Sequence, residues 1–226
     1  MEIRMTEHEA RKAFDEDLAS LQEDLRNMGA VVEEMLGKAV MALADQDVNL
    51  AHEVEDLDDI VDRYNVDIET KCLRLLALQQ PMARDLRTIA GAMKIITDIE
   101  RAGDYAVDIS QVAIQLADRP LFKPLEDIPK MAEMVRQMLR ETLTAFATRD
   151  LDLVQHMVAL DDQVDHLYHS LYDELIGYIR ADPELADQAV GLLLIARYLE
   201  RIADHITNIG ERIYYMETGD LKELHT

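Results

Sequence analysis

The chain repeats itself, and that constrains its fold more than any other feature. Asp47, Leu50, Leu57, Asp58, Val61 and Asp62 return as Asp150, Leu153, Leu160, Asp161, Val164 and Asp165, each 103 positions later. Glu100-Arg101-Ala102-Gly103-Asp104 returns as Glu200-Arg201-Ile202-Ala203-Asp204, 100 positions later. A fixed internal period marks a duplicated supersecondary unit. The difference between the two offsets places a shorter turn before the last element of the second copy. Whatever the first hundred residues build, the second hundred build again.

The prolines show what is repeated. All five (Pro81; Pro120, Pro124 and Pro129; Pro183) fall where the helical pattern lapses. A proline inside a helix costs about 3 kcal/mol, so this placement favours long uninterrupted helices between the joints. Trp is absent and aromatic residues make up 5% of the chain, which leaves β-sandwich and Rossmann folds little to build on.

Thr6-x-x-Glu9 reads as a capping box opening a first helix that runs to about Ala44. Phe14, Leu18, Leu21, Leu25, Met28, Val32, Met35 and Ala39 keep three-and-four spacing along it. Asp47 then caps a second helix reaching about Leu78, and Gln79-Gln80-Pro81 turns the chain. A third helix follows to about Leu116, its expected inner stripe being Leu86, Ile89, Met93, Ile96, Gly103 and Val107. A fourth spans about Pro129 to Ala147 and a fifth about Leu151 to Ile179. The sixth opens at Asp182-Pro183, with Asp as N-cap and Pro in the first turn, and runs to about Met216. Helices of some 35 residues are about 50 Å long and need antiparallel partners. The expected fold is all-α: two tandem three-helix bundles related by the repeat, spanning residues 1–117 and 130–226, with a proline-containing linker at 118–129.

Charge narrows the function. The net charge of -23 disfavours nucleic acid and anionic bilayers, and favours cations or basic partner surfaces. The single cysteine, Cys72, has no intrachain partner for a disulfide, which fits a reducing cytosol. The first residues lack the apolar core of a signal peptide. No apolar run approaches the roughly 20 residues needed to span a bilayer, so membrane insertion is not expected.

Each half carries two acidic pairs four residues apart, one helical turn, so both members of a pair point from one helix face. In the first half these are Asp58 with Asp62 and Glu100 with Asp104. In the second they are Asp161 with Asp165 and Glu200 with Asp204. The pairs of a half lie on successive antiparallel helices and can face each other across a groove. Oxygen-rich sets of this kind suit magnesium, manganese and calcium, and dense carboxylate bundles also hold iron or zinc. The competing reading is a polar seam with Arg101 and Arg201 as counter-charges, because 46 of 226 residues are acidic and such pairs arise by chance. Spacing alone leaves both open. His205 beside Asp204, and His166 with His169, are read as seam or surface histidines. Cys72 and most of the twelve methionines are read as core. Neither GxxxxGK[ST] nor GxSxG is present, and the paired Glu-x-x-His of di-iron oxidases is missing.

The segments Asp98-Ile-Glu-Arg-Ala-Gly-Asp-Tyr-Ala-Val-Asp-Ile109 and Arg197-Tyr-Leu-Glu-Arg-Ile-Ala-Asp-His-Ile-Thr-Asn-Ile209 closely resemble the doubled motif of the PhoU family. Pro81-Met-Ala-Arg-Asp-Leu-Arg87 resembles the turn preceding that family's first motif. The likeness runs from about Phe14 to Gly219. Two positions depart from it: Asp108 stands where the family usually has Asn, and Ala203 where it usually has Gly. The resemblance implies a non-enzymatic cytoplasmic negative regulator of phosphate uptake and phosphate-responsive signalling. It further implies a homodimer that links the phosphate ABC transporter ATPase to a sensor histidine kinase. Metal clusters on the paired motifs are implied as well, mapping onto the eight carboxylates above, with iron, zinc, manganese or magnesium as candidates. A metal-dependent phosphoester hydrolase and a metal-buffering helical protein are the alternatives.

Overall fold

In a computed structural model describing residues 7–79 and 81–224, the chain forms six long helices and no strand among the described residues. They are α1 (Glu7–Asp45), α2 (Val48–Gln79), α3 (Arg84–Leu116), α4 (Asp127–Thr148), α5 (Leu151–Ala181) and α6 (Ala186–Thr218). The expected Thr6 capping box lies outside the described residues. Helices α1 to α3 pack mutually as one bundle and α4 to α6 as a second. The two stand side by side through α3 against α6, with α4 reaching both α1 and α6, and one hydrophobic core runs through both.

Helix starts follow the expected caps in both copies. The Asp47 Oδ1 atom accepts from the backbone N–H of Asn49 at 3.0 Å and Leu50 at 3.1 Å, and Asp150 Oδ1 accepts from Asp152 at 2.9 Å. Each satisfies donors that a helix N-terminus leaves unpaired. The residue before each cap, Gln46 in one copy and Arg149 in the other, takes a positive φ, of 55° and 63° respectively. Helix α6 starts later than expected. Asp182 caps a short 3-10 turn, Pro183–Leu185, and the α-helix proper begins at Ala186. Helix α4 starts earlier, at Asp127, because proline in the first turn removes only an N–H that has no helical partner.

The expected stripe of α1 is buried from Phe14 to Ala39, Leu18 being partly covered. The stripe of α3 needs correction. Leu86 is 45% exposed and Met93 and Val107 are only partly covered, whereas Ile95, Ile99, Ala102, Ala106 and Ile109 are buried. Helix α3 touches α1 and α2 on one side and α6 on the other, so it buries a wider and rotated arc. Cys72 lies in the core as expected, and burial pushes its thiol up to about 12.

Where α3 and α6 meet, the repeat explains two glycines in mid-helix, each costing about 1 kcal/mol relative to alanine. A Cβ on Gly91 would run into Met216, and one on Gly191 would lie 3.0–3.3 Å from Leu116. Gly91 and Gly191 are repeat-related, as are Leu116 and Met216. Each copy's glycine therefore seats the last-turn side chain of the other.

Candidate metal centre

The acidic pairs of the first half come from α2 and α3. Asp58 and Asp62 share a face of α2, and Glu100 and Asp104 a face of α3. The helices lie side by side at Gly103, where a Cβ would stand 3.6 Å from Asp58 Oδ1, an ordinary contact. The four carboxylates act on one another. Asp58 is pushed up to about 6, chiefly by burial and then by Asp62, Asp104, Asp59 and Glu100. Glu100 is raised by burial and by Asp104 and Asp62, with Arg101 opposing. Asp108, one turn further along α3, is raised by burial and by Asp104. Arg101 leans away to Asp104, its Nη1 donating at 2.8 Å.

In the second half, Asp161 and Asp165 lie on α5 and Glu200 and Asp204 on α6. Asp161 is buried, the only aspartate or glutamate in that class among the described residues. Glu200 is raised by burial and Asp204, opposed by Arg197 and Arg201, with Asp165 adding to the rise. Its Oε1 accepts from Arg197 Nη1 at 2.5 Å, while its Oε2 is buried without a hydrogen-bond partner among the described residues. Arg201 Nη1 donates to Asp204 at 3.2 Å, matching Arg101 and Asp104.

Both groups present carboxylate oxygens crowded by like charge, and one retains a buried oxygen with no donor. Hard divalent cations take all-oxygen ligand sets, so the residues fit that class. Among the described residues no three His, Cys, Asp or Glu side chains already form a metal-holding group, so the donors are neighbours rather than a finished cage. None of His166, His169 and His205 joins them, and His166 is exposed. His169 Nδ1 meets the Asp165 carbonyl at 2.8 Å and is exposed. The Nδ1 atom of His205 turns across to α3, 2.9 Å from Asp98 Oδ1 and beside the Tyr105 ring. Spacing along the chain gave no sign of that last contact, nor of Arg197 at Glu200.

Comparison with known proteins decides the family. The PhoU domain matches this chain twice, over residues 25–113 and 128–213. The chain belongs to the PhoU family. A phosphate-specific transport system accessory protein PhoU homolog of Aquifex aeolicus is 41% identical over 210 residues, covering 93% of this chain and 95% of that protein. The Deinococcus radiodurans homolog is 37% identical, covering 92% and 98%. The crystal structure of PhoU from Pseudomonas aeruginosa superposes with a TM-score of 0.87 at 35% identity, covering 92% of this chain and 100% of that one. That of the phosphate transport system regulatory protein PhoU from Streptococcus pneumoniae gives 0.86 at 34%, covering 92% and 99%. Both PhoU domains of this chain contain one of the two carboxylate groups.

Proposed function

We propose that this chain is an accessory regulator of phosphate transport that represses phosphate-responsive signalling when phosphate is plentiful. It acts in the cytoplasm, as an adaptor between the phosphate transporter's ATPase and a sensor histidine kinase, and as a homodimer. The observation that carries the reading is the match of both PhoU domains, with relatives named as phosphate-transport accessory proteins covered almost end to end. No described helix is long and apolar enough to cross a membrane. The acidic surface suits basic patches on those partners.

The eight carboxylates hold divalent or trivalent cations: Asp58, Asp62, Glu100 and Asp104 in one domain, Asp161, Asp165, Glu200 and Asp204 in the other. A bound cation relieves the repulsion that raises Asp58 and Glu100, and ties α2 to α3 and α5 to α6. The cation's role in this reading is to set the shape of each bundle. Deleting the gene tests the regulatory reading: phosphate-response genes rise in phosphate-rich medium, and unchanged expression overturns it. Elemental analysis tests the metal reading. Purified protein carries metal that is lost when Glu100, Asp104, Glu200 and Asp204 are all replaced by Ala, and equal content in both overturns it.

A further inference from the structure

We propose that the two carboxylate groups are unequal cation sites, because Arg197, held between Glu200 and the Tyr168 ring, is a built-in cation for the second. The inference rests on the metal-binding reading above. Arg197 donates from Nη1 to Glu200 Oε1 at 2.5 Å, and its guanidinium carbon lies 5.5 Å from the Tyr168 ring centroid. A planar guanidinium suits both contacts, a carboxylate along its edge and an aromatic face against its plane. One holder is on α6 and the other on α5, so the charge is fixed across the same pair of helices that carries the acidic groups.

The first half has no such device. The positions related to Tyr168 and Arg197 by the repeat are Asn65 and Thr97, neither of them ring nor charge. Arg101 and Arg201 occur in both halves and make the same bond to Asp104 and Asp204, and Arg201 adds a longer ion pair, its Nε 4.0 Å from Glu200 Oε2. Asp108 corresponds to Asn208 in the repeat, which gives the first half one further carboxylate. Asp108 thus adds a negative charge that the second group lacks, and no arginine among the described residues bonds Glu100 as Arg197 bonds Glu200. A cation arriving at the second group competes with a guanidinium already bonded to Glu200 Oε1 and can reach only Oε2 while Arg197 stays in place. A cation arriving at the first finds Arg101 on Asp104 but no guanidinium bonded to Glu100 among the described residues. The first site fills first and more tightly, and the second fills when Arg197 leaves.

Titration of the full-length, metal-stripped protein with Mn2+, followed by calorimetry and by the loss of free-ion paramagnetic signal, tests this. Wild type takes up Mn2+ in two phases of different affinity, and the tighter one disappears in the Glu100→Ala/Asp104→Ala variant. Arg197→Thr tightens the weaker phase by roughly 10–100-fold, the range for changes in groups that support metal ligands. Thr97→Arg weakens the tighter phase in turn. Tyr168→Asn, which frees the guanidinium without removing it, gives a smaller gain than Arg197→Thr. Helicity by circular dichroism confirms that each variant is folded. Two equal phases, an unchanged weaker phase in folded Arg197→Thr and Tyr168→Asn, or loss of the tighter phase on replacing Glu200 and Asp204 overturns the inequality alone. No Mn2+ uptake by any form overturns the metal reading and the inequality with it.

Discussion

At the turn between α1 and α2, Gln46 donates to the carbonyls of Leu116 and Arg119, tying that turn to the end of α3. At the repeat-related turn between α4 and α5, Arg149 reaches Glu217 at the end of α6 instead. Both residues share the positive φ and both reach the same place in their own half, but a neutral amide does in one what a guanidinium does in the other. The caps one position further on, Asp47 and Asp150, are identical. A duplicated backbone demands the cap wherever a helix begins, while a side chain that only has to find a carbonyl or a carboxylate is free to change. Charge has diverged between the halves where backbone geometry has not.

The same contrast holds at the ends of the central helices. Glu217 also takes an ion pair from Arg84 at the start of α3, and Arg87 donates to the carbonyl of Met216. At the other end Gln188 of α6 uses its amide, accepting from the N–H of Phe122 and donating to the carbonyl of Pro120. One junction is ionic and the other neutral. Helix α3 also opens at Ala83, whose φ of 46° is unfavourable for a residue with a Cβ, and it has no side-chain cap. The ionic junction lies directly over this weaker start.

The largest test of this pairing is to fill the shared notches. Gly91→Leu and Gly191→Leu each lower stability by about 1–3 kcal/mol through overpacking, read as the urea midpoint. Alanine separates the two, since a Cβ on Gly91 would stand 2.4 Å from Sδ of the buried Met216 and one on Gly191 3.0 Å from Leu116: Gly91→Ala is the costlier. Equal losses would show that the notches do not differ.

The junctions come next. Glu217→Ala removes the ion pairs to Arg84 and Arg149, both at least partly open to solvent, and costs up to about 1 kcal/mol, and Gln46→Ala removes two neutral bonds and costs about 1 kcal/mol. High salt shrinks the first loss and leaves the second, because only one junction is ionic. A Glu217→Ala loss that salt leaves untouched would break the ionic-versus-neutral distinction.

A smaller effect separates the carboxylate groups by pH. Asp58 binds its proton more tightly folded than unfolded, so its stabilising contribution is complete below its ordinary value near 3.8. It is lost as pH rises through about 6. In metal-free protein at pH 7.5, Asp58→Asn therefore raises stability by about 1 kcal/mol after solvent screening, and the gain vanishes near pH 4. Glu200→Gln brings no such gain, because it leaves Arg197 without its carboxylate. Thermal melts of both variants across this range read the difference. The smallest effect belongs to Arg101→Ala and Arg201→Ala, each within about 0.5 kcal/mol, as partly exposed pairs within one helix should be.

Much of this was legible from the chain. The repeat, the prolines and the Asp caps gave six helices and their order, since those signals act over a few neighbouring residues. The eight carboxylates were legible as two groups because four-residue spacing fixes a helix face. What spacing could not give is which faces of α3 and α6 meet. Leu86 therefore reads as core but is exposed, and His205 gave no hint that it meets Asp98 on the other half. The Arg197 bond to Glu200 was hidden for a different reason: arginine three residues before a glutamate is ordinary on a helix surface, and only Tyr168 on α5 makes it a fixed charge.

The exchange of Met216 for Gly91 and Leu116 for Gly191 has a consequence for the chain's ancestry. The exchange is the reciprocal contact that two identical units make across a two-fold axis. A lone half would have an open hollow and a loose apolar side chain at its far end, and would satisfy both only by pairing with a second copy of itself. The join between the halves therefore keeps the form of a dimer contact inside one chain.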